Sequence, residues 1–217
     1  MRASPPQPEM VMRTVRAIRC LLLAALAGAA GSCSDSSGPG NDTKPEGELS
    51  VVHVAPTSAP LFNPVDSFYA KRGEDREVRI YFQDGAGGAG EEYLRLRVDA
   101  LTLLALPDGT PVLPGDSVLI HVRVVDQSQM LFELQPSGLK FSPLTPARLT
   151  IHYDHAGGDL NGDGSVDALD TAIEGTLAIW RQENPGDPFV RLNSVLTLDL
   201  DEAEADLTSF SRYALAY

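Results

Sequence analysis

Oxygen-bearing side chains recur at a regular spacing in the stretch DLNGDGSVDALD, from Asp159 to Asp170. Acidic or amide side chains occupy its first, third, fifth, ninth and twelfth positions, and a glycine occupies the sixth, where a calcium-binding loop turns sharply. Without a cation, four neighbouring carboxylates repel one another, and calcium replaces that repulsion with ligand bonds. The spacing predicts one calcium ion bound by Asp159, Asn161, Asp163, the carbonyl of Ser165, Asp167 and Asp170.

The residues after this loop predict one short helix that ends at Gly175. Val166, Leu169 and Ile173 fall on one face of that helix, and we expect this face to pack against the rest of the fold. Calcium would then act as a structural staple. Two alternatives stay open: an acidic turn that binds nothing specifically, and a calcium sensor, which is disfavoured because Asp170 is shorter than the glutamate of a regulatory EF-hand.

Other residues with chemical potential have weaker patterns. His152 and His155 flank Asp154, which is compatible with a transition-metal site, although a solvent-facing pair at a strand end is the favoured interpretation. The glycine-rich segment 85–90 matches GxGxxG, but two glutamates and a strand follow it, so we predict a hairpin loop rather than a nucleotide site. The sequence contains no local signature of a Ser-His-Asp triad, and we predict a protein that is not an enzyme.

Short runs of β-branched or alternating apolar residues, separated by turns rich in proline and glycine, dominate the chain. Many strands without βαβ alternation predict an all-β, antiparallel β-sandwich with one short helix after an inserted calcium loop. The predicted strands are Ser50–Val54, Glu77–Phe82, Tyr93–Val98, Ser117–Val125, Met130–Leu134, Ala147–Tyr153, Thr176–Arg181, Val190–Leu192, Val195–Leu200 and Ala205–Ala214.

The N-terminus has the features of an export signal. Four arginines precede an apolar run, Leu21 to Ala30, that is too short to span a bilayer, so residues 1–32 are predicted to be a signal peptide. The run ends in Ala30-Gly31-Ser32-Cys33, which resembles the lipobox of bacterial lipoproteins. This resemblance implies a lipid on Cys33, whereas an ordinary secretory signal would leave that cysteine incidental. Ser34 is not the aspartate that retains lipoproteins at the inner membrane, which favours the outer membrane of a Gram-negative bacterium.

Composition divides the rest of the chain and limits its partners. Residues 33–49 are rich in serine, glycine and proline and are predicted to be a flexible tether, followed by a β-sandwich domain over residues 50–217 with an insertion at about 155–175.

The 217-residue chain has a formal charge of −13. Residues 1–32 hold four of the 17 basic and one of the 30 acidic residues, so removing them leaves −16. Such a charge disfavours nucleic acid as a partner.

Three segments resemble the β-sandwich domain of zona-occludens proteins and netrin receptors, which also occurs in bacterial envelope proteins. They are Leu94–Leu104, Leu131–Tyr153 and Ala205–Leu215, and the resemblance covers roughly residues 75–217, interrupted by the calcium loop. It implies a scaffold and interaction domain. Some relatives cut their own backbone at His-Phe-Ser; Ser209 stands here in place of that histidine, before Phe210 and Ser211, so the base for self-cleavage is missing.

The calcium loop also resembles one half of a dockerin, a calcium-stabilised bacterial docking module. Dockerins contain two such loops and this chain contains one, so a complete dockerin is not expected. Together these features predict a membrane-anchored envelope lipoprotein whose structural or interaction domain is stabilised by one calcium ion. The alternative is a calcium-dependent binding module for a protein partner or for an envelope polysaccharide.

Overall fold

The computed structural model describes residues 42–217. The predicted signal peptide and the lipidation residue Cys33 lie outside the described residues. Within them, no helix has the length and apolar character that crossing a bilayer requires. The elements are β1 (Thr43–Lys44), β2 (Val65–Lys71), β3 (Arg76–Gln83), β4 (Ala89–Val98), β5 (Leu103–Ala105), β6 (Ser117–Asp126), β7 (Leu131–Gln135), β8 (Lys140–Phe141), β9 (Ala147–His152), α1 (Ala168–Glu174), β10 (Ala178–Gln182), β11 (Phe189–Arg191), β12 (Ser194–Thr197), β13 (Glu202–Leu207) and β14 (Arg212–Ala216), with single 3₁₀ turns at Glu46–Glu48, Asp154–Ala156 and Leu198–Leu200.

The strands form two main antiparallel sheets. The larger has seven strands in the order β1-β11-β10-β14-β7-β6-β2, and the smaller has five in the order β12-β13-β9-β4-β3. A short pair, β5 with β8, forms a third, two-stranded sheet. The prediction of an all-β antiparallel sandwich is confirmed.

The core lies between the two main sheets and follows from alternation within the strands. Along β6, every second residue from Val118 to Val124 is buried while its neighbours face outward, as expected for a half-buried strand. Aromatic residues join the layers: Tyr93 on β4 packs against Phe132 on β7 with ring centroids 5.4 Å apart. Such aromatic contacts stabilise the packing beyond the apolar area that they bury.

Several predicted strands have different limits in the structure. The segment Ser50–Val54 forms only isolated bridges, Val51 with Ala216 and His53 with Gln129, instead of a strand. The segment Ala205–Ala214 is divided into parts of β13 and β14, because the chain passes from the smaller sheet to the larger one between them. Strand β2 was not predicted, since its sequence VDSFYAK lacks a clear alternation of apolar and polar residues.

The N-terminal segment is part of the fold from residue 42 onward, earlier than the predicted domain start at residue 50. Strand β1 pairs with β11, and Leu49 packs into a second apolar cluster on the outer face of the larger sheet together with Trp180 and Phe189. Lys44 donates a hydrogen bond through Nζ to the Tyr217 carbonyl at 2.9 Å. Trp180 is therefore buried beneath the segment expected to be a tether.

Candidate metal centre

The predicted calcium loop lies between β9 and β10, where the chain leaves the smaller sheet and enters the larger one. Helix α1 begins immediately after Asp167, whose side chain caps it by accepting a hydrogen bond from the Leu169 N–H at 2.7 Å. Asp170 returns the contact by accepting from the Asp167 N–H at 2.9 Å, which completes a capping box. Gly175 ends the helix, as the sequence predicts.

The first half of the loop curls around the carboxylate of Asp159. Its Oδ1 accepts the N–H of Asp163 at 3.1 Å, and its Oδ2 accepts the N–H of Gly164 at 2.9 Å. Gly162 and Gly164 have φ values of 72° and 90°, a backbone region that favours glycine. A Cβ atom at Gly162 would lie 3.0 Å from Nδ1 of His53, so the loop also rests closely against the body of the fold.

The next two predicted ligands also engage the backbone of the loop. Oδ1 of Asn161 accepts the N–H of Asp163 at 2.8 Å, and Oδ1 of Asp163 accepts the N–H of Ser165 at 2.9 Å. A carboxylate or carbonyl oxygen has two lone pairs, so one hydrogen bond leaves capacity for a cation. The loop therefore presents oxygen donors that are already oriented by its own backbone.

Asp170 has a structural role in addition to its predicted role as a ligand. The residue is only 3% exposed, and its Oδ1 accepts the N–H of Leu160 at 2.9 Å and that of Asn161 at 3.4 Å. Backbone hydrogen bonds, with that from the Asp167 N–H the most important, hold the pKa of Asp170 below its usual value. Asp170 thus joins the two ends of the loop.

The helix is anchored differently from the prediction. Ile173 is buried and joins the main core, as does Leu160 inside the loop. Val166 and Leu169, expected to pack against the sandwich, are 68% and 55% exposed. Helix α1 has only seven residues, so a single side chain of its apolar face reaches the core. That part of the prediction is wrong.

No three carboxylates of the loop have ligand atoms within 4.8 Å of one another. Within residues 42–217, one group of three acidic, histidine or cysteine side chains has ligand atoms that all lie within 4.8 Å of one another, and it lies outside the loop: Glu91, Asp154 and His155. Two oxygens on opposite sides of a calcium ion are about 4.8 Å apart, given bonds of about 2.4 Å. Calcium binding by the loop therefore requires its carboxylates to move closer together.

An acidic cavity of about 190 Å³ lies between α1 and the end of β9, lined in part by Tyr153, Asp154, Glu174 and Asp201. The Tyr153 hydroxyl donates to Oε1 of Glu174 at 3.3 Å. Burial, with a smaller contribution from the charge of Asp154, raises the pKa of Asp201 above its usual value. Sequence reasoning grouped none of these residues, because they come from separate elements.

The two histidines beside Asp154 belong to different surroundings. His152, on β9, lies 3.3 Å from Oε1 of Glu92 and 3.8 Å from Oε2 of Glu202, both on neighbouring strands. His155 lies in the 3₁₀ turn after β9, where its ring stacks on Phe82 with centroids 3.5 Å apart. The two histidines therefore do not form a joint metal site. We expected both to face solvent, and this expectation is wrong for His155, which is largely buried.

Two further sequence motifs have structural explanations. The glycine-rich segment 85–90 contributes the turn and the first residues of β4 in the β3–β4 hairpin, where Asp84 accepts hydrogen bonds from the N–H groups of Ala86 and Gly88. No helix follows that could complete a nucleotide site within this part of the described chain. The segment Ser209–Ser211 lies in the connection between β13 and β14, with Phe210 fully buried against Phe141.

Comparisons of the chain with protein families, with curated proteins and with solved structures found no match in any of the three.

Proposed function

We propose that this protein is a lipid-anchored, non-catalytic β-sandwich of the bacterial envelope, in which one calcium ion fixes the insertion between β9 and β10. The observation that carries the proposal is the geometry of the loop 159–170. Its first carboxylate organises the backbone turn, its ninth residue caps the exit helix, and its twelfth residue connects both ends. These interactions hold the oxygen-bearing side chains at the positions that the calcium-loop spacing assigns to ligands.

Calcium binding at this loop is expected to stabilise the whole sandwich. Leu160 and Ile173 extend from the insertion into the main core, so ordering the loop also orders side chains on which both sheets pack. A ligand that binds only the folded state stabilises it by about 2.7 kcal/mol when its free concentration is 100 times Kd. For a chain of this size that corresponds to a Tm increase of about 5–10 °C.

The test compares the protein with the variant Asp163→Ala, in chelator and in millimolar calcium. We expect calcium to raise Tm in the unchanged protein and to have little effect on the variant, because Asp163 is both a predicted ligand and a partner of Asn161 and Ser165. Asp108→Ala is the matched control, since Asp108 is an exposed turn aspartate that accepts a hydrogen bond from Thr110. Equal calcium responses in the two variants would contradict the proposal.

The anchoring part of the proposal rests on the sequence around Cys33. Growth with a labelled fatty acid tests it, because Cys33→Ser removes the thiol that would be acylated. We expect label and membrane association in the unchanged protein and neither in the variant. A secreted, unlabelled protein would instead indicate an ordinary export signal.

A second candidate function, binding of an envelope partner, is favoured by exposed leucines near the small β5–β8 sheet. Leu144 is 91% exposed, and Leu101 and Leu113 are also largely exposed. The Thr145 hydroxyl donates to the Leu101 carbonyl at 3.0 Å, which brings two of these loops together. Contiguous apolar patches on a surface mark interaction sites, and the proposal is that these leucines form such a patch. The likeness to zona-occludens and netrin-receptor domains supports the same role.

Binding to isolated envelope polysaccharide and to envelope proteins, measured with calcium and with chelator, tests this candidate. We expect Leu144→Ser to weaken binding while leaving Tm unchanged, because the side chain contributes little to the fold. Binding that is unaffected by both chelator and the variant would count against it.

A further inference from the structure

Three side chains from two separate segments converge outside the calcium loop. Glu91 comes from β4, and Asp154 and His155 come from the 3₁₀ turn between β9 and the loop. Nε2 of His155 lies 2.9 Å from Oε2 of Glu91 and 3.8 Å from Oδ2 of Asp154. All three ligand atoms lie within 4.8 Å of one another.

These distances suit a small divalent ion. Zinc binds histidine nitrogen and carboxylate oxygen at about 2.0–2.2 Å, which places two ligands of a tetrahedral ion about 3.4 Å apart. The separations of 2.9 Å and 3.8 Å lie on either side of that value. Small rotations of the two carboxylates would bring all three atoms to bonding distance.

The position of His155 is defined before any metal arrives. Its ring stacks on the buried ring of Phe82, and its carbonyl accepts hydrogen bonds from the Ala55 N–H at 2.8 Å and the Ser58 hydroxyl at 2.9 Å. Glu91, in contrast, is 74% exposed and can turn toward or away from the ring. A fixed nitrogen and mobile carboxylates form a site that can adapt to an ion.

An ordinary ion pair leaves part of this arrangement without a partner. Nε2 of His155 can carry one proton and so can donate a hydrogen bond to only one carboxylate, which is that of Glu91. Among the described residues, the nearest Lys, Arg or His nitrogen to the Asp154 carboxylate is Nε2 of His155, at 3.8 Å, which is longer than a hydrogen bond. Two carboxylates lie beside one imidazole here, and a divalent ion would be attracted by both of them.

We propose that Glu91, Asp154 and His155 form a second metal site, which takes a zinc-type divalent transition metal. Such ions bind well to imidazole nitrogen, whereas calcium prefers sites built from oxygen alone. The site at His155 and the loop 159–170 would therefore select different metals. Three protein ligands leave one position of a tetrahedral ion for water or for a ligand from a partner. The ion would join the β3–β4 hairpin to the start of the insertion, independently of the calcium loop.

The experiment titrates zinc into the purified protein by calorimetry, in excess calcium so that the loop 159–170 is saturated. We expect one zinc ion per chain. Glu91→Gln removes a ligand that is mostly exposed and outside the core, so this variant should fold normally and bind zinc at least about 10-fold more weakly. His155→Asn should lose at least about 100-fold, and substitution of cobalt for zinc should show tetrahedral visible absorption that disappears in both variants.

Two control variants separate this site from other sources of zinc affinity. His121→Asn removes an exposed histidine whose Nδ1 pairs with the Ser67 hydroxyl, not with a carboxylate, and should leave zinc binding unchanged. Asp163→Ala should lose calcium binding and keep zinc binding. The proposal is overturned if the unchanged protein binds no zinc, if Glu91→Gln and His155→Asn bind it as tightly as His121→Asn, or if only Asp163→Ala loses it.

Discussion

Replacing Leu49 with alanine tests how strongly the N-terminal segment is attached to the outer face of the larger sheet. Leu49 is 9% exposed and packs with Trp180 and Phe189. The substitution removes three carbon atoms, which at about 0.8 kcal/mol for each buried methylene amounts to about 2.4 kcal/mol. Because the segment lies at the surface and can settle into the gap, we expect a loss of about 2–2.5 kcal/mol, near the lower end for leucine in cores.

Urea unfolding measures this loss, and the fluorescence of Trp180 reports its location. Trp180 is the single tryptophan of the chain, so its emission comes from one known place. With a slope of about 2 kcal/mol per molar urea, the midpoint should fall by about 1 M. The emission of the folded variant should shift to longer wavelength, because water gains access to the indole ring.

The matched control is Leu144→Ala, which removes the same atoms from a side chain that is 91% exposed. Its free energy of unfolding should change by no more than about 0.5 kcal/mol. If the Leu49 variant has the same midpoint as the Leu144 variant and an unchanged emission maximum, the segment does not cover Trp180, and residues 42–49 belong to the tether after all.

Two other substitutions test local features of the fold. The pKa of Asp201 is raised in the folded state, so its ionised form destabilises the fold at neutral pH, and this penalty disappears as the pH falls below that pKa. Asp201→Asn should therefore stabilise the protein at pH 7 by less than about 1 kcal/mol and should have no stabilising effect at pH 3. Asparagine is chosen because it tolerates the local φ of 49°. Equal effects on the free energy of unfolding at both pH values would contradict the raised pKa of Asp201. The buried Tyr213 hydroxyl donates to the Ser209 carbonyl at 2.5 Å, so Tyr213→Phe should cost about 1–2 kcal/mol in urea unfolding, whereas Tyr69→Phe, on an exposed side chain, should cost almost nothing.

The sequence alone was sufficient where structure depends on neighbours along the chain. The alternation of β6 predicts its two faces, and Gly175 correctly marks the end of α1. The loop 159–170 also forms its turn and helix cap with its own residues, because a calcium-type spacing specifies local hydrogen bonds as well as ligands. Each of these features involves interactions over a few residues.

The tertiary structure was needed wherever a side chain meets a distant segment. Val166 and Leu169 have the same periodicity as Ile173, but only Ile173 reaches the core, because the orientation of a seven-residue helix depends on the surface beneath it. Likewise, composition predicted a tether up to residue 49. The few apolar side chains of this segment do not reveal from the sequence that they pack on the outer face of a sheet.

The same distinction applies to the two candidate metal sites. The six predicted calcium ligands lie within one stretch of twelve residues, so the spacing alone is enough to predict them. Glu91 and His155 are 64 residues apart and meet only because the β3–β4 hairpin and the turn after β9 lie at the same end of the sandwich. A sequence determines such a meeting only through the whole fold, because no local interaction brings the two residues together.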